Sequence, residues 1–165
     1  MLAESGFAAV AGAVFDRFGF EYSARDVEVE SAEYGACSFV PPGRSVRFRV
    51  AKTTPTKAGQ FVTVWVRSDV GPIRPFDVAD GVELFIVAVS DGHGEGQFVF
   101  PADELRMRGI VSAGGAGGRR AFRVYPPWLQ GLNGQAARTQ AWQSAFFLEM
   151  RPRGVDAARA HALYR

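Results

Sequence analysis

The sequence predicts an α/β fold of the α+β kind, a single domain over residues 1–165 in which helices flank a central mixed β-sheet. An apolar stripe at helical spacing opens the chain, and a nearly unbroken apolar run fills Glu83 to Val89. Period-two alternation marks Ser45 to Lys52 and Phe61 to Arg67. With 47% hydrophobic and 22% charged residues, the composition is that of a globular chain and not a disordered one. A chain of 165 residues is long enough to close a core without metal or disulfide staples.

Taken in order, Phe7, Val10, Ala11, Val14, Phe15 and Phe18 share one helical face, which predicts an amphipathic helix over about residues 3–18, within an N-terminal segment 1–20, that stops at Gly19. Glu4 precedes this stretch and no basic lead-in does, so a secretory signal is not expected; nor does any run reach the roughly 20 apolar residues of a membrane span. Short strands are predicted at Val27–Glu30 and at Ala36–Val40, the latter closed by Pro41, Pro42 and Gly43. The alternating segments Ser45–Lys52 and Phe61–Arg67 read as a hairpin pair. Past Gly71, Pro72 and Pro75, the run Glu83–Val89 predicts a central strand buried on both faces. Asp91–Gly96 reads as a mobile turn into a strand at Gln97–Phe100, and Pro101 suits the first turn of a short helix through Leu105. A second glycine-rich turn, Gly114–Gly118, precedes a strand at Ala121–Tyr125. A helix near Gln135–Leu148 follows, and the tail, residues 150–165, is expected to hold a loosely packed helix. The hairpins argue against a purely parallel, doubly wound sheet.

The lone cysteine, Cys37, cannot form an internal disulfide, which fits a reducing, cytoplasmic setting and a buried structural thiol. The net charge of +2 conceals a division. Residues 1–33 hold seven acids against Arg17 and Arg25, a balance of −5, whereas residues 44–74 hold seven bases against Asp69, a balance of +6. Positive charge concentrated in this way points to a polyanionic partner.

Alternation places Val46, Phe48 and Val50 on one face of the first alternating strand, and Val62, Val64 and Val66 on one face of the second. The opposite face then carries Arg47, Arg49, Thr63, Trp65 and Arg67. Guanidinium forks suit phosphate oxygens and an indole offers a plane for base stacking. The bland alternative pairs Arg47 and Arg49 with Glu28 and Glu30 and packs Trp65 under a helix. The strand Ala121–Tyr125 repeats the pattern, with Arg123 and Tyr125 opposite Phe122 and Val124, and with Arg119 and Arg120 just before it. Tyr125-Pro126-Pro127-Trp128 reads equally as a rigid turn anchored by core aromatics. In the connection Thr53–Gln60, the hydroxyls (Thr54 among them), Lys57 and free amides could hold a phosphate. It does not match GxxxxGK[ST], and a solvated hairpin loop is the alternative.

Asp91, His93 and Glu95 sit in a turn too loose to fix a metal unaided, and His161 is the only other imidazole. No nucleophile-elbow motif is present. No metal, no cofactor and no membrane partner are expected.

Several segments together resemble the MepB-like family. They are Glu33-Tyr34-Gly35-Ala36, the long run Phe48 to Thr63, Trp65-Val66-Arg67, Gly71-Pro72-Ile73, Gly96 to Pro101, Gly109 to Ser112, Arg123 to Trp128, and Thr139-Gln140-Ala141-Trp142-Gln143. The resemblance covers roughly residues 28–147. It implies a restriction-endonuclease-like fold related to the PD-(D/E)xK nucleases, with nucleic-acid binding as the activity and a degraded catalytic site. Such a site needs an acid two positions before a lysine, but Val50 precedes Lys52 and Pro55 precedes Lys57. A substituted motif would have to use Asp77 or Asp80 with Glu95-Gly96-Gln97, and without converging carboxylates little would retain Mg²⁺.

The expectation is a non-catalytic nucleic-acid-binding protein that leans to single-stranded DNA or RNA. Arg47, Arg49, Lys52, Lys57, Arg67 and Arg123 contact phosphates, Trp65 and Tyr125 stack on bases, and Thr54, Gln60, Arg119 and Arg120 complete the set. A metal-dependent nuclease and a protein-interaction domain are the alternatives.

Overall fold

The computed structural model describes residues 8–18, 20, 26–27, 37–39, 45–67 and 71–164. Phe7, Gly19, Glu28, Glu30, the Glu33–Ala36 motif, the turn at Pro41 to Gly43 and the outer parts of the two short early strands lie outside these residues, as does the environment of the Cys37 thiol.

A six-stranded sheet forms the centre, in the order β1 (Asp26–Val27), β2 (Cys37–Phe39), β3 (Val46–Val50), β8 (Leu84–Asp91), β9 (Gly94–Pro101) and β11 (Phe147–Arg151). β3 and β8 run parallel and the other neighbours antiparallel, so the sheet is mixed. Two smaller sheets stand apart from it. β10 (Ala121–Val124), β5 (Gln60–Thr63) and β4 (Lys52–Thr53) make one, and β6 (Trp65–Arg67) with β7 (Ile73–Pro75) make the other.

The apolar run of β8 has no polar face because both of its sides are covered. Ile86 and Ala88 join Val46, Phe48, Val99 and Leu148 in a core beneath helix α1 (residues 8–18, π-helical over Ala11–Asp16) and helix α4 (Ala157–Leu163). Phe85, Val87 and Val89 join Phe98, Phe100, Val62, Val64, Phe122 and Val124 in a second core, shared with α2 (Ala102–Met107) and packed against by Trp142 of α3 (Gly134–Ser144). The stripe Val10, Ala11, Val14 and Phe15 is buried, as its spacing predicts.

Three sequence expectations are corrected. The alternating strands at 45–52 and 61–67 do not pair as one hairpin: the first leaves the main sheet at Ala51, whose N–H donates to Ala88 O at 2.9 Å, and only its end, β4, pairs with β5. The predicted helix at 135–148 ends at Ser144, and Phe147–Arg151 is instead an edge strand on β9. Arg159 secures this break, its guanidinium donating to Phe147 O at 2.6 Å, Ser144 O at 2.9 Å and Ala145 O at 3.0 Å. The Asp91–Gly96 segment is a tight hairpin and not a loose turn. Asp91 accepts from His93 N at 2.7 Å through Oδ1 and from Trp128 Nε1 at 2.8 Å through Oδ2. No helix among the described residues is long and apolar enough to cross a membrane.

Candidate nucleic-acid interface

The register of β3 decides the fate of its arginines. Arg47 lies beside Phe85 and Arg49 beside Val87, on the sheet face that packs against the small sheet. Arg49 is accordingly 1% exposed. Its Nε donates to Thr63 O at 3.1 Å, its Nη1 to Phe48 O at 3.0 Å, and its guanidinium lies 5.7 Å from the Phe76 ring centre. Arg47 is half-buried against the same ring, at 5.8 Å. The expected outward display of Arg47 and Arg49 is thus corrected, because β3 is an interior strand covered on both faces. Gln60 is also inside, donating to Ser90 O at 2.8 Å and Thr53 Oγ1 at 3.3 Å. Trp65 and Arg67 belong to the two-stranded ribbon, opposite Pro75 and Ile73. Arg120 is exposed and accepts the Val64 N–H on its carbonyl, at 2.9 Å.

The other basic residues converge elsewhere. Between the small sheet, the end of α2 and the start of α3 lies a cleft of ≈ 1140 Å³. Thr54, Lys57, Arg119, Arg123 and Tyr125 of the expected set line it, joined by Phe61, Arg108, Asn133, Thr139, Trp142 and Gln143. Four of the lining residues are cationic and none is acidic among the described residues. Phe61, Tyr125 and Trp142 are half-buried rings on its walls. Lys52 sits in register with Phe61, which in turn faces Arg123, so the three share the outer face of the small sheet.

The walls are held from behind. Gln143, fully buried, accepts the Tyr125 N–H at 2.8 Å and donates to Arg123 O at 2.9 Å, pairing with the outer edge of β10 as a further strand would. Gln140 donates to Pro126 O at 2.9 Å and Leu129 O at 3.0 Å, which fixes the Tyr125–Trp128 turn. Arg123 donates to Ala58 O at 3.3 Å, to Gly59 O at 3.4 Å and to Thr54 Oγ1, tying the loop over residues 54–59 to β10. Arg108 donates to Glu104 Oε2 at 3.1 Å and its guanidinium lies 4.7 Å from the Trp142 ring centre.

Each acid considered for a nuclease site is engaged by the protein itself. Asp80 forms a two-pronged pair with Arg74, both contacts at 2.8 Å, and that pairing first of all holds its carboxyl below the usual range. Asp77 accepts from Ser112 Oγ at 2.7 Å, Ala79 N at 2.9 Å and Gly115 N at 3.0 Å, and these bonds, led by Ser112, lower its pKa to about 2. Glu95 pairs loosely with Arg151 at 3.6 Å, and Gln97 is buried with Met150 and Tyr164 as its partners. Burial pushes the Tyr164 phenol well above its ordinary value. Among the described residues no group of three or more His, Cys, Asp or Glu could hold a metal ion.

Arg108 and Trp142 were not legible as site residues. Arg108 lies just past the predicted short helix, four residues after Glu104, and Trp142 reads as a single ring within the predicted helix at 135–148. Only the fold brings 54–61, 108–125 and 131–143 together.

A family model described as MepB-like matches residues 28–149. The chain is similar to the crystal structure of MepB, with 33% sequence identity, a TM-score of 0.76, and coverage of 84% of this chain and 94% of that one. No curated protein matches.

Proposed function

The chain belongs to the MepB-like family, and since the cleft lies wholly within the matched region we propose that it binds single-stranded nucleic acid there without cutting it. One observation carries the reading: four cations and three half-buried rings border one cleft whose described lining contains no acid. At ≈ 1140 Å³ it exceeds the about 300–1,000 Å³ typical of small-molecule pockets, which suits an extended ligand. Guanidinium and ammonium groups attract phosphates whatever the sequence, and rings in a recess accept bases only once those bases are unpaired. The contact surface is therefore the cleft and not the outer side of β3.

The test is fluorescence anisotropy with labelled single-stranded DNA, single-stranded RNA and duplex DNA across a salt series. Binding should favour single strands, weaken as salt rises, and fall in a Lys57→Ala/Arg119→Ala double variant of unchanged thermal midpoint. Salt-insensitive binding, or affinity untouched by the double variant, removes the cleft from the function. Fragments that appear with Mg²⁺ or Mn²⁺ and vanish with chelator would replace binding by cleavage.

A further inference from the structure

The four cations of the cleft are not equivalent, because two of them are already engaged by the protein. Arg123 spends its fork on the loop: Nη1 meets Ala58 O at 3.3 Å and Gly59 O at 3.4 Å, and Nη2 meets Thr54 Oγ1. These contacts close the two ends of the loop onto β10 across more than sixty residues of chain, with Lys57 between them. Arg108 is held by Glu104 at 3.1 Å and lies over the Trp142 indole at 4.7 Å from its centre. Lys57 and Arg119, by contrast, are exposed and have no acidic partner among the described residues.

We propose that Lys57 and Arg119 are the phosphate-contacting residues of the cleft, whereas Arg123 is a positioning residue that holds the 54–59 loop so that Lys57 faces the ligand, and Arg108 positions Trp142. The proposal rests on the nucleic-acid reading of the cleft and narrows it to a ligand neutralised at two phosphates along a single strand. A lysine at 123 would keep the charge but could not fork onto three acceptors, since an ammonium is a compact point charge on a flexible stem. This separates charge from geometry at one position.

Two measurements test it. In salt titrations with a labelled oligothymidylate, log affinity against log salt should have a slope of about −1.4 for two single-strand phosphates, and about −0.7 in Lys57→Ala or Arg119→Ala. Arg123→Lys should fall to the Lys57→Ala slope of about −0.7 despite its retained charge. A wild-type slope in Arg123→Lys would make Arg123 no positioner. Arg108→Ala should weaken binding at the wild-type slope, and a drop of about 0.7 would count Arg108 among the contacts instead.

The second measurement needs no ligand. The chain has only two lysines, Lys52 and Lys57, so a lysine-specific protease reports on this loop directly. In Arg123→Gln, shown folded by circular dichroism, cleavage after Lys57 should be about tenfold faster than in wild type, the scale of a lost hydrogen bond to a charged group. Equal rates would overturn the positioning role. Should wild type show no salt-dependent oligonucleotide binding, the reading of the cleft fails, while the cleavage rates still decide what Arg123 does.

Discussion

β3 and β10 are both short strands that alternate arginine with apolar residues, Val46-Arg47-Phe48-Arg49 in one and Phe122-Arg123-Val124 in the other. They differ in what surrounds them. β3 lies third in a six-stranded sheet with a core against each face, so its arginine face turns inward and Arg49 is sealed beneath Thr63. β10 is an edge strand of a three-stranded sheet, and the face bearing Arg123 opens on the cleft. The same alternation therefore produces a buried arginine in one place and a cleft-lining arginine in the other. Period two tells which residues share a face; the position of the strand tells whether that face is wet.

The sharpest way to break this comparison is at Arg49. Arg49→Ala should lower the free energy of unfolding by about 3–5 kcal/mol, the scale of a large-to-small core truncation that also removes the hydrogen bonds to Thr63 O and Phe48 O. Urea denaturation measures it, and the salt slope of oligonucleotide binding by the folded protein should not move. A loss within about 0.5 kcal/mol, the range of ordinary surface substitutions, would put Arg49 back outside.

Gly59 offers a finer contrast on the cleft side. Its φ is +77°, and a Cβ there would stand 2.7 Å from two Tyr125 ring carbons and 2.8 Å from Val124 O. Gly81 has nearly the same φ, +73°, with nothing within 4 Å of the same point. Gly81→Ala should cost about 1–2 kcal/mol from backbone strain alone. Gly59→Ala should cost more than Gly81→Ala and should also weaken oligonucleotide binding, because the Tyr125 ring must shift. Matching thermal midpoints for the two variants would show that the Tyr125 contact gives no support to the loop.

What could be read in advance follows the same division. The apolar continuity of Leu84–Val89 and the stripe of α1 were legible because both are local patterns with a single physical reading. The outward face of Arg123 and Tyr125 was legible for the same reason. The partnership of β3 with β8 was not, since 33 residues of other structure intervene between Val50 and Leu84 and nothing local specifies a parallel neighbour. Nor was β11, where Phe147-Leu148 continues an apolar pattern that a helix of α3 would share, until Arg159 arrives from the tail to cap the break. The Arg108–Trp142 contact depends on the residue after α2 reaching a side chain of α3 and leaves no trace in either segment alone.

The smallest effect concerns an acid that supports the basic wall at a distance. Asp77 ties the glycine-rich turn to the short helical turn at Val78–Asp80 through Ser112 and Gly115, and that turn leads directly into Arg119, whose own N–H donates to Ile110 O at 2.8 Å. Its carboxyl is held at about 2, below the ordinary 3.8, first by the Ser112 hydroxyl and then by the Ala79 and Gly115 amides. A depressed folded-state pKa means that the carboxylate stabilises the fold fully above pH 3.8 and loses that contribution as the pH falls toward about 2. Asp77→Asn keeps the shape and removes the charge. The thermal midpoint of wild type should exceed that of Asp77→Asn by a constant margin above about pH 4, and the margin should close as the pH falls to about 2. At neutral pH the variant should bind oligonucleotide more weakly at an unchanged salt slope, because Arg119 keeps its charge and loses only its fixed place. A margin that does not vary between pH 5 and pH 2 would make the anchor a matter of shape and not of charge, and would leave Arg119 positioned by its bond to Ile110 alone.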